Sequence, residues 1–177
     1  MGVKVGIKPF FLVVGLVLFS FCSWAQKTLT VPDDYPTIQA AIEAAEAGDT
    51  VFIRAGTYHE NLTIAKPLQL VGEDRLTVGI KAQDPEKPVL QVALATGEVM
   101  IRNLSVRGGK AGLQLWVFRG ARIQAERVHV GDNDFGVWGA GSGTISVRKA
   151  LLVDNKYGLY TSAGETELVE VEIYRGT

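Results

Sequence analysis

The chain has 177 residues, a formal net charge of −1 and a single cysteine, and 47% of its residues are hydrophobic. That length supports one domain with a sizeable core. A near-neutral balance with no basic tract argues against nucleic acid as a partner, and one cysteine excludes a disulfide framework.

Residues 1–25 read as an export signal. Lys4 and Lys8 make a basic start, Phe10 to Phe21 (FFLVVGLVLFSF) an apolar run, and Ser23-Trp24-Ala25 a small-residue exit with cleavage expected after Ala25. The run is shorter than the roughly 20 apolar residues a membrane span requires. Bulky Phe21 before Cys22 speaks against a lipid anchor there. The mature chain is thus expected to be secreted or periplasmic, with no cysteine and no stable membrane span after cleavage. Without Lys4 and Lys8, 16 basic residues face 19 acidic ones.

Residues 26–48 are expected to form a strand, a Pro-Asp turn and one short helix. Ile38, Ala41, Ile42 and Ala45 recur at i, i+3, i+4 and i+7, so one stripe is apolar while Glu43 and Glu46 face away. Thr37 suits the N-cap and Gly48 the stop. A helix this short does not persist alone, so its stripe should cover the open end of a β structure.

From residue 49 to 177 short strand-like pieces alternate with Gly, Asn and Asp: TVFI, LTIA, LQLVG, VLQVA, VMIRNLSV, ARIQAERVHV, TISVRKALLV and ELVEVEIY. Gly112-Leu113, Gly136-Val137 and Gly158-Leu159 recur at steps of 24 and 22 residues, and Ile101, Ile123, Ile145 and Leu168 at 22, 22 and 23. A period near 22 is what a three-sided parallel coil consumes, each coil stacking on the last. The expected fold is therefore all-β, a right-handed parallel β-helix solenoid with a short N-terminal capping helix. Val99 and Ile101 should point inward and Met100 and Arg102 outward. Val169, Val171 and Ile173 should point in against Glu170 and Glu172. The closing segment, Thr166 to Thr177, begins a coil with no cap after it. A solenoid end of that kind is expected either to continue in a longer gene product or to be covered by a partner.

The block from Tyr35 to Asp74, YPTIQAAIEAAEAGDTVFIRAGTYHENLTIAKPLQLVGED, closely resembles the N-terminal cap and first coils of the pectin-lyase-like β-helix superfamily. That superfamily includes pectinesterases, pectate lyases, polysaccharide-binding surface proteins and a periplasmic copper-maturation protein. The resemblance implies the right-handed β-helix; it does not imply an activity, because enzymes and non-enzymes share the block. A pectinesterase-like site would require a Gln-Asp pair on one coil and an Asp on the next. Gln91 resembles the glutamine-bearing strand, but no Gln-Asp pair follows it. A pectate-lyase-like site would require clustered Asp residues for calcium and a basic residue as proton acceptor. For that alternative the metal candidates are Asp132, Asp134 and Asp154, with Arg148, Lys149 and Lys156 as basic partners. No other cofactor is expected.

Asp132-Asn133-Asp134-Phe135 and Asp154-Asn155-Lys156-Tyr157 recur 22 residues apart. Asn133 over Asn155 is expected to form an amide ladder, and Phe135 over Tyr157 an aromatic stack. Trp138 and Tyr160 share the same spacing, each just after an inward residue, with Trp116 on the coil before. A row of outward rings suits the apolar face of a sugar. Trp116, Trp138 and Tyr160, together with Arg148 and Lys149, are thus the ligand-binding candidates. His59 and His129 have no metal-ligand spacing. The functional expectation is an exported scaffold or polysaccharide-binding module, with a calcium-dependent lyase or other pectin-active enzyme, or a protein-binding surface protein, as alternatives.

Overall fold

The protein is described by a computed structural model covering residues 26–175; the expected signal segment at 1–25 lies outside the described residues. The chain winds as a right-handed parallel β-helix with three faces. The first face is built from β1 (Thr28–Val31), β2 (Thr50–Ile53), β5 (Leu68–Gly72), the leading halves of β8 (Gly97–Arg107) and β10 (Ala121–Gly131), β12 (Thr144–Arg148) and β15 (Glu165–Val169). The second holds β3 (Gly56–His59), β6 (Val78–Lys81), the trailing halves of β8 and β10, β13 (Leu151–Val153) and β16 (Glu172–Tyr174). The third is a separate five-stranded sheet of β4 (Leu62–Ile64), β7 (Leu90–Leu94), β9 (Ala111–Val117), β11 (Phe135–Gly141) and β14 (Tyr157–Ser162). The single helix among the described residues, α1 (Ile38–Ala44), packs on β1, β2 and β4.

Every strand pairing is parallel, and the registers set apolar side chains on one another. One inward file runs Leu29, Val51, Leu70, Ile101, Ala125, Val147 and Leu168. Another runs Leu68, Val99, Ile123, Ile145 and Thr166. Each fully buried Val, Leu or Ile contributes roughly 1.5–3 kcal/mol of transfer free energy, so the stacked files supply the cohesion that crosslinks supply in small exported domains. Ile101 does not share the file of Ile123 and Ile145, as the even spacing suggested. It lies over Ala125, because the coil between β8 and β10 takes 24 residues and shifts the register by two. A shift of two keeps Ile101 on the inward face, whereas a shift of one would have exposed it.

A second correction concerns the last coil. Val169 pairs with outward-facing Arg148, and Leu168 with buried Val147, so Leu168 takes the inward register, 45% exposed in this last described coil, and Val169 the outward one. Strict alternation fails there because Glu170 has φ 52° and turns the strand between the first and second faces. Asn103, Arg127 and Lys149 take the same left-handed conformation at the same corner. Such a conformation costs an L residue roughly 1–2 kcal/mol, and the rungs on either side hold it in place. After the corner the alternation restarts, so Ile173 lies in register with buried Leu152.

The helix is anchored at both ends by the first coils. Thr37 caps it, accepting from Ala40 N at 3.2 Å, while the Glu60 carboxylate accepts from Ile38 N and Gln39 N at 2.9 Å each. Lys66 Nζ donates to the carbonyls of Glu43, in the last turn, and of the C-cap Ala45. Opposite charge at each end complements the helix dipole. The helix stops at Ala44, short of Gly48, but Ala45 stays buried and Gly48 makes the following turn with φ 93°.

The corner between the second and third faces is held by the asparagine ladder. Asn133 Nδ2 donates to Asn155 Oδ1 at 2.9 Å, and Asn155 Nδ2 to the Val130 carbonyl at 2.9 Å, both inside the protein. Asn133 Oδ1 accepts from Gly109 N at 3.0 Å, carrying the ladder one coil further. The recurring glycine of the repeat makes room for it: a Cβ on Gly136 would lie 2.4 Å from the Gly158 carbonyl oxygen and 3.0 Å from Asn155 Nδ2.

Two outcomes follow. Gly136→Ala and Asn133→Ala should each lower the urea midpoint by the equivalent of about 1–3 kcal/mol, the range for a broken buried hydrogen-bond site, with little change in slope. Nearly buried Asp49 accepts from Lys27 N at 2.9 Å and Glu46 N at 2.8 Å, and these backbone bonds hold its pKa below the usual 3.8. A depressed carboxylate pKa adds stability that is whole above the unfolded value and disappears as pH falls through the folded one. Asp49→Asn should therefore flatten the loss of thermal stability below pH ~4, seen by comparing unfolding midpoints of the two proteins across pH 2–6.

Candidate functional site: the outer side of the third face

Side chains that point outward from the third face form two rows across the strands. One holds Thr63, Gln91, Gln114, Trp138 and Tyr160, and the next Ala93, Trp116, Ala140 and Ser162. Neighbours along each strand are buried, which fixes the direction of these side chains: Val137 and Gly139 flank Trp138, and Leu115 and Val117 flank Trp116. The Trp116 and Trp138 rings lie 5.8 Å apart at 56°. Sequence spacing thus placed Trp138 beside Tyr160, and the tertiary structure adds a contact between the two tryptophans.

Phe135 joins the same cluster. Its ring stacks on Tyr157 at 5.0 Å and 22°, and lies 5.2 Å from Trp138 at 33°. Residues three apart in a regular strand face opposite sides. The paired register passes over Gly136 and Gly158, and the ring contact shows that Phe135 and Trp138 lie on one side across this break in the pairing. Simple alternation hides this; the Gly at the same place in successive repeats was the available signal. Tyr157 and Tyr160 are 53% and 55% exposed, so the outer coil of the cluster presents ring surface to solvent. Lys156 Nζ lies 5.7 Å from the Tyr157 ring centre, within cation–π range. The whole forms a ring-lined platform edged by the Gln91 and Gln114 amides, suited to stacking on a sugar face while bonding its hydroxyls.

The turn carboxylates lie around the corner. Asp132, Asp134 and Asp154 border a shallow groove with Asn133, Asn155 and Lys156. Asp134 pairs with Lys110 at 3.1 Å, and Asp132 and Asp154 hold left-handed corner positions with φ 56° and 55°. Among the described residues no group of three His, Cys, Asp or Glu side chains is arranged to hold a metal ion. The three candidates share the groove without converging on one point.

Arg148 and Lys149 are placed elsewhere. Arg148 ends β12 on the first face, where it bonds Glu167 at 2.7 Å and Ser146 at 3.2 Å. That contact raises the Arg148 pKa, and Arg148 with Ser146 pulls the Glu167 pKa down. Lys149 occupies the adjacent corner. Of the three basic partners, only Lys156 reaches the carboxylate groove, because β12 and β11 belong to different faces. The first face also carries a Gln124–Glu98 hydrogen bond that spacing did not single out. Gln91 sits on the third face, beside Gln114, and no acidic pair accompanies it there.

No protein-family model and no curated protein matches the chain. Among solved structures, a pectin methylesterase variant in complex with a hexasaccharide superposes with a TM-score of 0.54, over 88% of this chain and 67% of that one, at 16% identity. A second pectin methylesterase–hexasaccharide structure gives a TM-score of 0.42 with the same coverages, at 17% identity. At these identities the likeness is one of fold. The chain carries the right-handed parallel β-helix found in pectin methylesterase and pectate-lyase-like proteins.

Proposed function

We propose that this protein is an exported, non-catalytic module that binds a polysaccharide across the outer side of its third face. The observation that carries the reading is the contiguous ring cluster of Trp116, Trp138, Phe135 and Tyr157, with Tyr160 in register beside Trp138 and the Gln91 and Gln114 amides flanking it. Large apolar patches on a soluble surface mark interaction sites, and rigid rings lose little conformational entropy on binding. The platform spans three coils, from Trp116 through Trp138 to Tyr160, which fits a chain lying along the solenoid better than a small molecule in a pocket. The fold is also that of a pectin methylesterase seen with a hexasaccharide, in keeping with a carbohydrate scaffold. Export rests on the basic, apolar and small-residue segments of residues 1–25.

Binding is measured by affinity electrophoresis and calorimetry against polygalacturonate, its methyl ester and a neutral β-glucan. Trp138→Ala should weaken the best ligand at least about tenfold, equivalent to roughly 1.4 kcal/mol, with circular dichroism unchanged. Trp116→Ala should do the same, and Arg148→Gln on the first face should have no effect. Wild-type affinity in both tryptophan variants would sink the proposal, as would release of sugar products by the protein.

A further inference from the structure

The outer side of the second face carries basic side chains one above another. His59, Lys81 and Arg107 form a single file on β3, β6 and β8, which Gly131 of β10 continues. Beside it run Thr57, Gly79, Ser105 and His129. Rungs lie about 4.8 Å apart, so the backbone sets Lys81 directly beneath Arg107, an arrangement that like charges destabilise. Among the described residues neither makes an ion pair.

Neighbouring acids are engaged elsewhere. Glu60 caps the helix, Glu73 accepts from Ala55 N, Asp74 from Leu76 N, and Asp84 pairs with Lys87. Asp132 lines the hollow at the end of the file.

Where the file reaches Gly131, the missing side chain leaves a hollow of about 80 Å³ lined by Ser105, Arg107, His129, Gly131 and Asp132. A Cβ on Gly131 would lie 3.9 Å from His129 Nε2, so the imidazole borders this space. Ser105 Oγ donates to the Val78 carbonyl at 3.1 Å, which commits its proton and leaves Arg107 and His129 as the donors that line the hollow, with Lys81 outside the lining on the rung below Arg107. Burial, then Arg107 and Arg75, hold the His129 pKa below 6.5 against the opposing pull of Asp132. The ring is thus neutral at neutral pH and keeps one N–H to give.

We propose that this hollow binds a compact tetrahedral oxyanion, a sulfate or phosphate group, with Arg107 alongside and His129 in the neighbouring file as its donors, and Lys81 on the rung below Arg107 adding positive charge from outside the lining. Donors from two adjacent files meet at the hollow, and the charge of the group offsets the repulsion between Arg107 and Lys81 stacked beneath it. The group could arrive as a free ion or as an ester on a polymer. The site lies on a different face from the aromatic platform and does not depend on it.

The test titrates the purified protein with sodium sulfate at constant ionic strength, following the His129 ring by NMR, with chloride as the control. Saturable shifts are expected with sulfate and none with chloride. Arg107→Gln should weaken binding at least tenfold with an unchanged thermal midpoint, and Lys81→Gln by less. Arg122→Gln on the first face should leave binding as in wild type. Dextran sulfate binding more tightly per group than the free ion would assign the ligand to a polymer-borne ester; equal affinity would assign it to the free ion. Non-saturating shifts, unaltered affinity in Arg107→Gln, or an equal loss in Arg122→Gln would overturn the site.

Discussion

Rung-on-rung registration governs this protein. Each coil hydrogen-bonds to the next about 4.8 Å away, so an inward side chain meets the same position of its neighbour rather than a facing sheet. Leu29, Val51, Leu70, Ile101, Ala125, Val147 and Leu168 pack as one file under that rule. Volume along the file varies, with Ala125 between Ile101 and Val147, and adjacent files fill the difference: Ile123 stands two residues away in the same strand. The helix closes one end because its Ile38, Ala41 and Ile42 are buried against β1, β2 and β4.

The corners are where this repetition costs free energy. A three-sided coil must change direction within one or two residues, and the chain does so with left-handed backbone at Asn103, Arg127, Lys149 and Glu170, and again at Gly108, Asp132 and Asp154. Only some of these are Gly, Asn or Asp, the types that adopt the conformation most readily. Arg127, Lys149 and Glu170 persist there because hydrogen bonding on both flanking faces determines the path. At the other corner the buried Asn133–Asn155 amides satisfy the carbonyls that end β10 and the turn N–H of Gly109. The corner glycines and asparagines thus form one device: Gly136 leaves the space that Asn155 occupies.

Because the interior is filled by files, chemistry is confined to the outer sides of the faces, and each face has its own character. The first carries a polar network of Ser146, Arg148 and Glu167, the second a file of bases, and the third a cluster of rings. Residues close in sequence are separated by the corners. Arg148 and Lys156 are near neighbours along the chain, yet one reaches the first face and the other the carboxylate groove. Residues some two dozen apart are brought into contact, as with Trp116 and Trp138.

The solenoid and its capping helix were legible in the linear chain, because periodicity near 22 and the stripe from Ile38 to Ala45 are properties of residue order. So was the pairing of Asn133 with Asn155 and of Trp138 with Tyr160, since a step of one coil follows from the repeat. Strands β3 and β6 were not, because GTYH and VGIK mix glycine with exposed polar residues and lack a long apolar signature. Local variation in coil length moved Ile101 into register with Ala125, and a left-handed corner reversed the direction of Val169. Which outward side chains share a face was left to the tertiary structure. Residue order records which positions face outward, but the face is chosen at each corner, by the lengths of the intervening turns and by hydrogen bonds to coils already in place.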